Sequence, residues 1–144
     1  SEDIIRKYTL IKQGEDLHVN TLAQMEISEF INNYDYDKHI SKITSVYKSR
    51  RDIMLKTIKE EFPKDVVYTK PEGGMFIWVE LPKNLDAADI FNKALDKKVA
   101  FVPGEPFYSN GGIKNCFRLN YATMSEDRII EGIKRIGQVL REVL

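Results

Sequence analysis

Apolar side chains recur at two different periods along this chain. Residues 4–10 read as the end of a helix or a connector, and Gln13-Gly14-Glu15-Asp16 reads as a turn. Over 17–31, Leu17, Leu22, Met25, Ile27, Phe30 and Ile31 follow a roughly helical spacing, with Asn20 or Thr21 placed to cap it. Asn32-Asn33-Tyr34-Asp35 interrupts the pattern. Asp35 or Asp37 then opens a longer helix over 37–62. One side of it carries Ile40, Ile43, Val46, Tyr47, Met54, Leu55, Ile58 and Phe62. Lys42, Lys48, Arg51, Lys56, Lys59 and Glu60 lie opposite, and Pro63 ends it.

Beyond Pro63 the period falls to two. The pattern predicts strands at 66–68, 75–81, 99–102 and 116–121. Asp86 is placed to cap a helix over 87–96. Ser125 is placed to cap a last one over 126–143, with Ile129, Ile130, Ile133, Ile136, Val139, Leu140 and Val143 as its apolar stripe. The order is helix, helix, strand, strand, helix, strand, strand, helix. The economical way to bury these faces is an α/β (α+β) fold: a small sheet of three or four strands, mixed or antiparallel, with helices packed on it.

Composition narrows the function classes. The 144 residues suit one compact domain, and 42% hydrophobic residues is ordinary for one. The 22 basic and 22 acidic side chains cancel, so no surface built for nucleic acid is indicated. The single cysteine, Cys116, excludes an internal disulfide and any zinc site needing several thiolates, and fits a reducing cytoplasm. No apolar run approaches a membrane span of ~20 residues. Ser1-Glu2-Asp3 does not resemble a signal peptide, and the missing initiator methionine points to a fragment or a processed chain.

Three features are candidates for chemistry. Arg118 lies between Phe117 and Leu119, so strand alternation places it on the opposite face with Cys116 and Asn120. A guanidinium there can grip a carboxylate through two parallel hydrogen bonds, or simply be a solvated or salt-bridged arginine; pattern alone leaves both open. The paired glycines of Pro71-Glu72-Gly73-Gly74-Met75-Phe76 allow a tight turn or close approach to a ligand. Val102-Pro103-Gly104-Glu105-Pro106-Phe107-Tyr108 is a stiff loop after a strand, either a connector or a presenter of site residues. His18 and His39 lack metal-ligand spacing, Cys116 reads as a small core residue, and the carboxylates form no acid–base pair.

In their order, Lys70-Pro71-Glu72-Gly73-Gly74-Met75-Phe76-Ile77-Trp78-Val79, then Val99 through Phe107, then Phe117-Arg118-Leu119-Asn120-Tyr121-Ala122 resemble the small-domain signatures of class I/II aminotransferases. The likeness is to the branch that includes 2-aminoadipate and multi-substrate enzymes. Asp16-Leu17-His18-Val19-Asn20-Thr21-Leu22-Ala23-Gln24 and the last helix resemble the family too, so the likeness covers essentially the whole chain. It implies fold type I, pyridoxal 5'-phosphate in the full-length protein, amino acid and 2-oxo acid substrates, and a homodimer. Residues 1–33 are then the end of the large domain with a linker, and 34–144 the C-terminal small domain.

By the same resemblance Arg118 grips the substrate carboxylate, and Gly74, Met75 and Phe107 line the substrate pocket. Asn20 and Thr21 lie near the partner subunit's active site and its cofactor. The family's Schiff-base lysine loop has no counterpart here. Lys42, in His39-Ile40-Ser41-Lys42, sits within an amphipathic helix and reads as a surface charge. The chain alone is therefore expected to hold no cofactor and to have no catalytic residue or transaminase activity. Two other readings compete. One is the effector-sensing aminotransferase-like domain of a transcription regulator, and the other a free-standing amino-acid-binding module.

Overall fold

A computed structural model describes residues 1–144. The chain divides into two compact units, Ser1–Lys42 and Ile43–Leu144. The first holds α1 (Glu2–Glu15) and α2 (Thr21–Asn33), while α3 (Tyr36–Glu61) begins within it and continues into the second.

The turn expected at 13–16 is absorbed into α1. Gly14 stays helical, and the amides of Asp16 and Leu17 both donate to the carbonyl of Lys12, at 3.0 and 3.1 Å. The reversal falls at Leu17, whose φ is 61°, so Leu17 ends one helix rather than opening the next. Asn20 caps α2, its Oδ1 accepting from the amide of Ala23 at 3.1 Å, and Thr21 is the first helical residue. Asp35 rather than Asp37 opens α3, accepting from the amide of Lys38 at 2.9 Å.

The second unit is built on a four-stranded antiparallel sheet of order β1-β2-β4-β3, with β1 Val67–Tyr68, β2 Phe76–Glu80, β3 Val102–Pro103 and β4 Cys116–Asn120. Alternation along β2 and β4 sends Ile77, Val79, Phe117 and Leu119 into the core. There they meet Met54 and Ile58 of α3, Ile90 and Ala94 of α4 (Ala87–Asp96), and Ile129, Ile133, Ile136, Val139 and Leu140 of α5 (Glu126–Val143). Burying side chains of this size contributes about 1.5–3 kcal/mol each.

Two expected strands are displaced. Val66 donates its amide to Pro63 in a turn, so the β1 ladder starts one residue later. At 99–102, the amide of Val99 instead closes the end of α4 on the carbonyl of Ala94, at 3.1 Å. Phe101 turns inward between Phe91 and Phe117, with ring centroids at 5.6 and 4.2 Å. Pairing then begins at Val102 and includes Pro103, which an edge strand tolerates because no donor is needed there. Asp86 caps α4 as expected, accepting from the amide of Ala88 at 2.8 Å. Ser125 occupies the cap position of α5 without a side-chain cap bond. The ends of α3 and α4 are instead tied to α5 by arginines: Arg141 donates to the carbonyl of Glu61, and Arg135 to those of Lys97 and Lys98. No helix is long and apolar enough to cross a membrane.

Candidate functional site

The β2–β4 register sets the environment of Arg118. It pairs Trp78 with Arg118 and Phe76 with Asn120, so Phe76, Trp78 and Arg118 share the face opposite the core. The guanidinium carbon lies 4.0 Å from the Phe76 ring centroid. On its other flank Phe107 lies at 4.6 Å, carried there by a 3-10 turn, Glu105–Phe107, that follows β3.

That turn comes close to the sheet because residue 104 is glycine. A Cβ at Gly104 would meet the Cys116 carbonyl oxygen at 2.8 Å and the Trp78 ring at 2.9 Å. The Gly104 amide donates to that same carbonyl at 2.7 Å. Trp78 meets Phe107 and Tyr108 edge-on, at 5.7 and 6.1 Å. The Tyr108 hydroxyl donates to Cys116 Sγ at 3.6 Å. That bond, with partial desolvation behind it, raises the phenol above its ordinary 10.0, so Tyr108 is neutral at physiological pH.

Arg118 is thus a cation between two aromatic rings, and no carboxylate is paired with it. Its Nε is buried and has no hydrogen-bond partner. A buried donor without a partner costs about 1–3 kcal/mol, and cation–π contacts offset about 0.5–2 kcal/mol. What the arrangement can accept is a planar anion that brings two oxygens to the guanidinium.

The other candidate residues are distributed as follows. Phe107 touches Arg118 directly. Met75 is exposed just before β2, and its carbonyl accepts from the amide of Tyr121 at 3.1 Å. Gly74 has φ +80°, with open space where a side chain would point. A cleft of about 490 Å³ is lined by Arg118, Phe76, Asn120 and Arg128 among others. A second, of about 650 Å³, is lined by Gly74, Gly73, Arg51 and Tyr121. Gly74 and Arg118 therefore open on different clefts, and Met75 and Phe107 line neither. Asn20 and Thr21 are exposed in the first unit, where the Asn20 side chain is spent on its helix cap.

Phe76, Trp78 and Tyr108 lie within motifs legible in the sequence, but the sequence assigns none of them a place beside Arg118. Phe76 and Trp78 were accessible to alternation, since they occupy the outward positions of β2; the register that sets them beside Arg118 was not.

Residues 8–136 match the family Aminotransferase class I and II. The chain is 42% identical over 142 residues to the 2-aminoadipate transaminase of Thermus thermophilus, covering 99% of this chain and 36% of that protein. Against aromatic-amino-acid aminotransferase 1 of Thermococcus litoralis the identity is 45% over 138 residues, covering 96% and 33%. The crystal structure of Pyrococcus horikoshii kynurenine aminotransferase superposes with a TM-score of 0.92 at 44% identity, over 99% of this chain and 35% of that one. The transcriptional regulator NorG of Staphylococcus aureus is more distant, at 30% identity over 144 residues, covering 99% of this chain and 32% of the regulator. The chain spans about a third of the length of these relatives. Matched along nearly its whole length, and sharing its fold with solved aminotransferases, the chain belongs to the class I and II aminotransferase family.

Proposed function

We propose that this chain is the C-terminal part of a pyridoxal-phosphate-dependent aminotransferase, and that Arg118 binds the carboxylate of its amino acid and 2-oxo acid substrates. The observation that carries this is the guanidinium held between Phe76 and Phe107 with a buried, unpaired Nε. Held in one pose before the ligand arrives, it loses little further freedom on binding. A substrate gripped at its carboxylate has its Cα fixed in space, which is the orientation a transaminase requires. The two rings shield the ion pair from water and strengthen it. Gly74, Met75 and Phe107 are proposed to border the substrate, and Asn20 and Thr21 to lie towards the partner subunit's site in a homodimer. Residues 1–33 then belong to the large domain and its linker, and residues 34–144 to the small domain.

The cofactor does not fit the residues around Arg118. Pyridoxal phosphate requires a primary amine for its aldehyde, an anion cradle for its phosphate and an acid facing its ring nitrogen. Aromatic rings flank Arg118, and the cleft it shares with Arg128 is lined by no lysine and no carboxylate. Lys42 is exposed on α3. The groups that hold the cofactor are therefore assigned to the rest of the full-length protein. The 144-residue chain alone, mixed with pyridoxal phosphate, an amino acid and a 2-oxo acid, is expected to show no turnover; measurable transamination overturns that.

In the full-length protein, Arg118→Leu is expected to lower kcat/KM about a hundredfold or more, because the carboxylate loses a partly buried charge partner. Arg118→Lys should fall between, since an ammonium cannot form the planar fork. Unchanged kinetics in Arg118→Leu would refute the assignment. A second reading, an effector domain in a transcription regulator, draws on the alignment of 99% of this chain with 32% of NorG. The higher identity to transaminases, 42% and 45% against 30%, favours the enzyme.

A further inference from the structure

The loop before β2 sits beside the cleft of about 650 Å³ and is not packed down: a Cβ at Gly73 or Gly74 would meet nothing within 4 Å. Two adjacent glycines with open space around them give the chain wide conformational freedom. Here hydrogen bonds hold the loop. Arg51 of α3 donates through one terminal nitrogen to the carbonyls of Pro71 and Glu72, at 3.2 and 3.1 Å. The Tyr121 hydroxyl donates to the carbonyl of Gly73 at 3.0 Å. Arg51 is itself aimed by Asp52, whose Oδ1 accepts from its Nε and its second terminal nitrogen at 2.8 and 2.6 Å. The preceding residue, Arg50, donates to the carbonyl of Ala122 in the turn after β4. Successive arginines on one helix therefore hold the segments on either side of the β2–β4 ladder end, where Phe76 pairs with Asn120.

The held loop leads directly into Phe76, and Phe76 is the nearer of the two rings against the Arg118 guanidinium, at 4.0 Å. We propose that Arg51 and Tyr121 are positioning residues for carboxylate recognition: by fixing the carbonyls of Pro71, Glu72 and Gly73 they keep Phe76 seated on Arg118 in the ligand-ready pose. This rests on the reading of Arg118 given above. In this role neither residue needs to touch the substrate. Both act by removing the freedom that the paired glycines would otherwise give to the start of β2.

The test uses the full-length enzyme with the variants Arg51→Ala, Arg51→Lys, Tyr121→Phe and Arg118→Leu, and propionate as a carboxylate probe competing with substrate. A displacement of recognition groups by a fraction of an ångström is expected to raise KM for both substrates and Ki for propionate about tenfold in Arg51→Ala. In Arg51→Lys the rise is smaller, and in Tyr121→Phe smaller still. Melting temperature and kcat at saturating substrate should change little. In an Arg118→Leu background the Arg51 and Tyr121 substitutions should have no further effect on KM, because they act through that guanidinium.

Arg51 and Tyr121 variants with lower melting temperature and kcat but unchanged KM and Ki would assign a structural role and overturn the proposal. So would losses that add to that of Arg118→Leu. If Arg118→Leu itself leaves KM and Ki unchanged, the carboxylate reading fails first and the positioning role falls with it. Should Arg51→Ala not fold, Tyr121→Phe, which removes one hydroxyl, carries the same test.

Discussion

In Ser1–Lys42, α1 and α2 bury none of their residues; in Ile43–Leu144, the helices and sheet enclose a continuous apolar core. The local rules are met equally well in both. Asn20 caps α2 as Asp86 caps α4, and α1 carries Glu2 and Asp3 in its first turn with Lys12 in its last. Caps and dipole complements set where helices start and stop, but they do not say whether a helix has anything to lie on. Ile5, Tyr8, Ile11 and Leu22 are 65–71% exposed, whereas Ile58, Ile77, Phe117 and Leu140 are fully enclosed. In the first unit a small ring cluster gathers at Phe30, with Tyr34, Tyr36 and His39 at 5.4–6.4 Å. Exposed apolar surface on this scale is characteristic of an interface.

The sharpest way to break the comparison is a matched pair of truncations. Phe117→Ala should destabilise the second unit by about 3–5 kcal/mol, since it empties a packed site in the sheet's core face. Ile5→Ala on exposed α1 should fall within about 0.5 kcal/mol of the parent. Urea unfolding of the 144-residue chain checks both, and equal costs would mean that the first unit is as firmly packed as the second.

Two glycines give a contrast of sign. A methyl at Gly137 would meet the Glu61 carbonyl oxygen at 2.7 Å where α5 crosses the end of α3, so Gly137→Ala should cost about 1–3 kcal/mol. At Gly14, inside α1, a methyl meets nothing within 4 Å, and Gly14→Ala should increase helicity by circular dichroism, worth about 0.5–1 kcal/mol.

The smallest effect is a pH dependence confined to the second unit. Burial pushes the Tyr121 phenol above its ordinary 10.0, with Arg51 pulling against it. The folded chain keeps a proton that the unfolded chain gives up. The resulting stability is fully present below pH ~10 and is lost as pH rises through the folded-state value. Comparing Tyr121→Phe with the parent at pH 8 and pH 11 isolates it, since the variant should lose less stability at the higher pH.

Much of this architecture was legible in the order of residues. The α4 boundaries and the inward faces of β2 and β4 follow from caps, prolines and alternation; the start of α5 after Ser125 was legible too, although Ser125 makes no side-chain cap bond. Each displaced element has its own cause. At Gly14 a turn-forming residue was kept in the helix by its neighbours' hydrogen bonds, and at 99–102 the need to bury Phe101 and close α4 outweighed strand propensity. Arg118 could be singled out because a charged residue amid β-formers is conspicuous, and its order with the glycine and proline motifs resembles a known family.

Helix and strand identity rests on interactions within a few residues, and those are written along the chain. The state of Arg118 is not. It depends on Phe76, 42 positions away, being brought alongside by antiparallel register, and on Gly104 letting Phe107 close in from the turn after edge strand β3. Whether that guanidinium met a carboxylate, water or two rings was settled by long-range pairing, which no local pattern encodes.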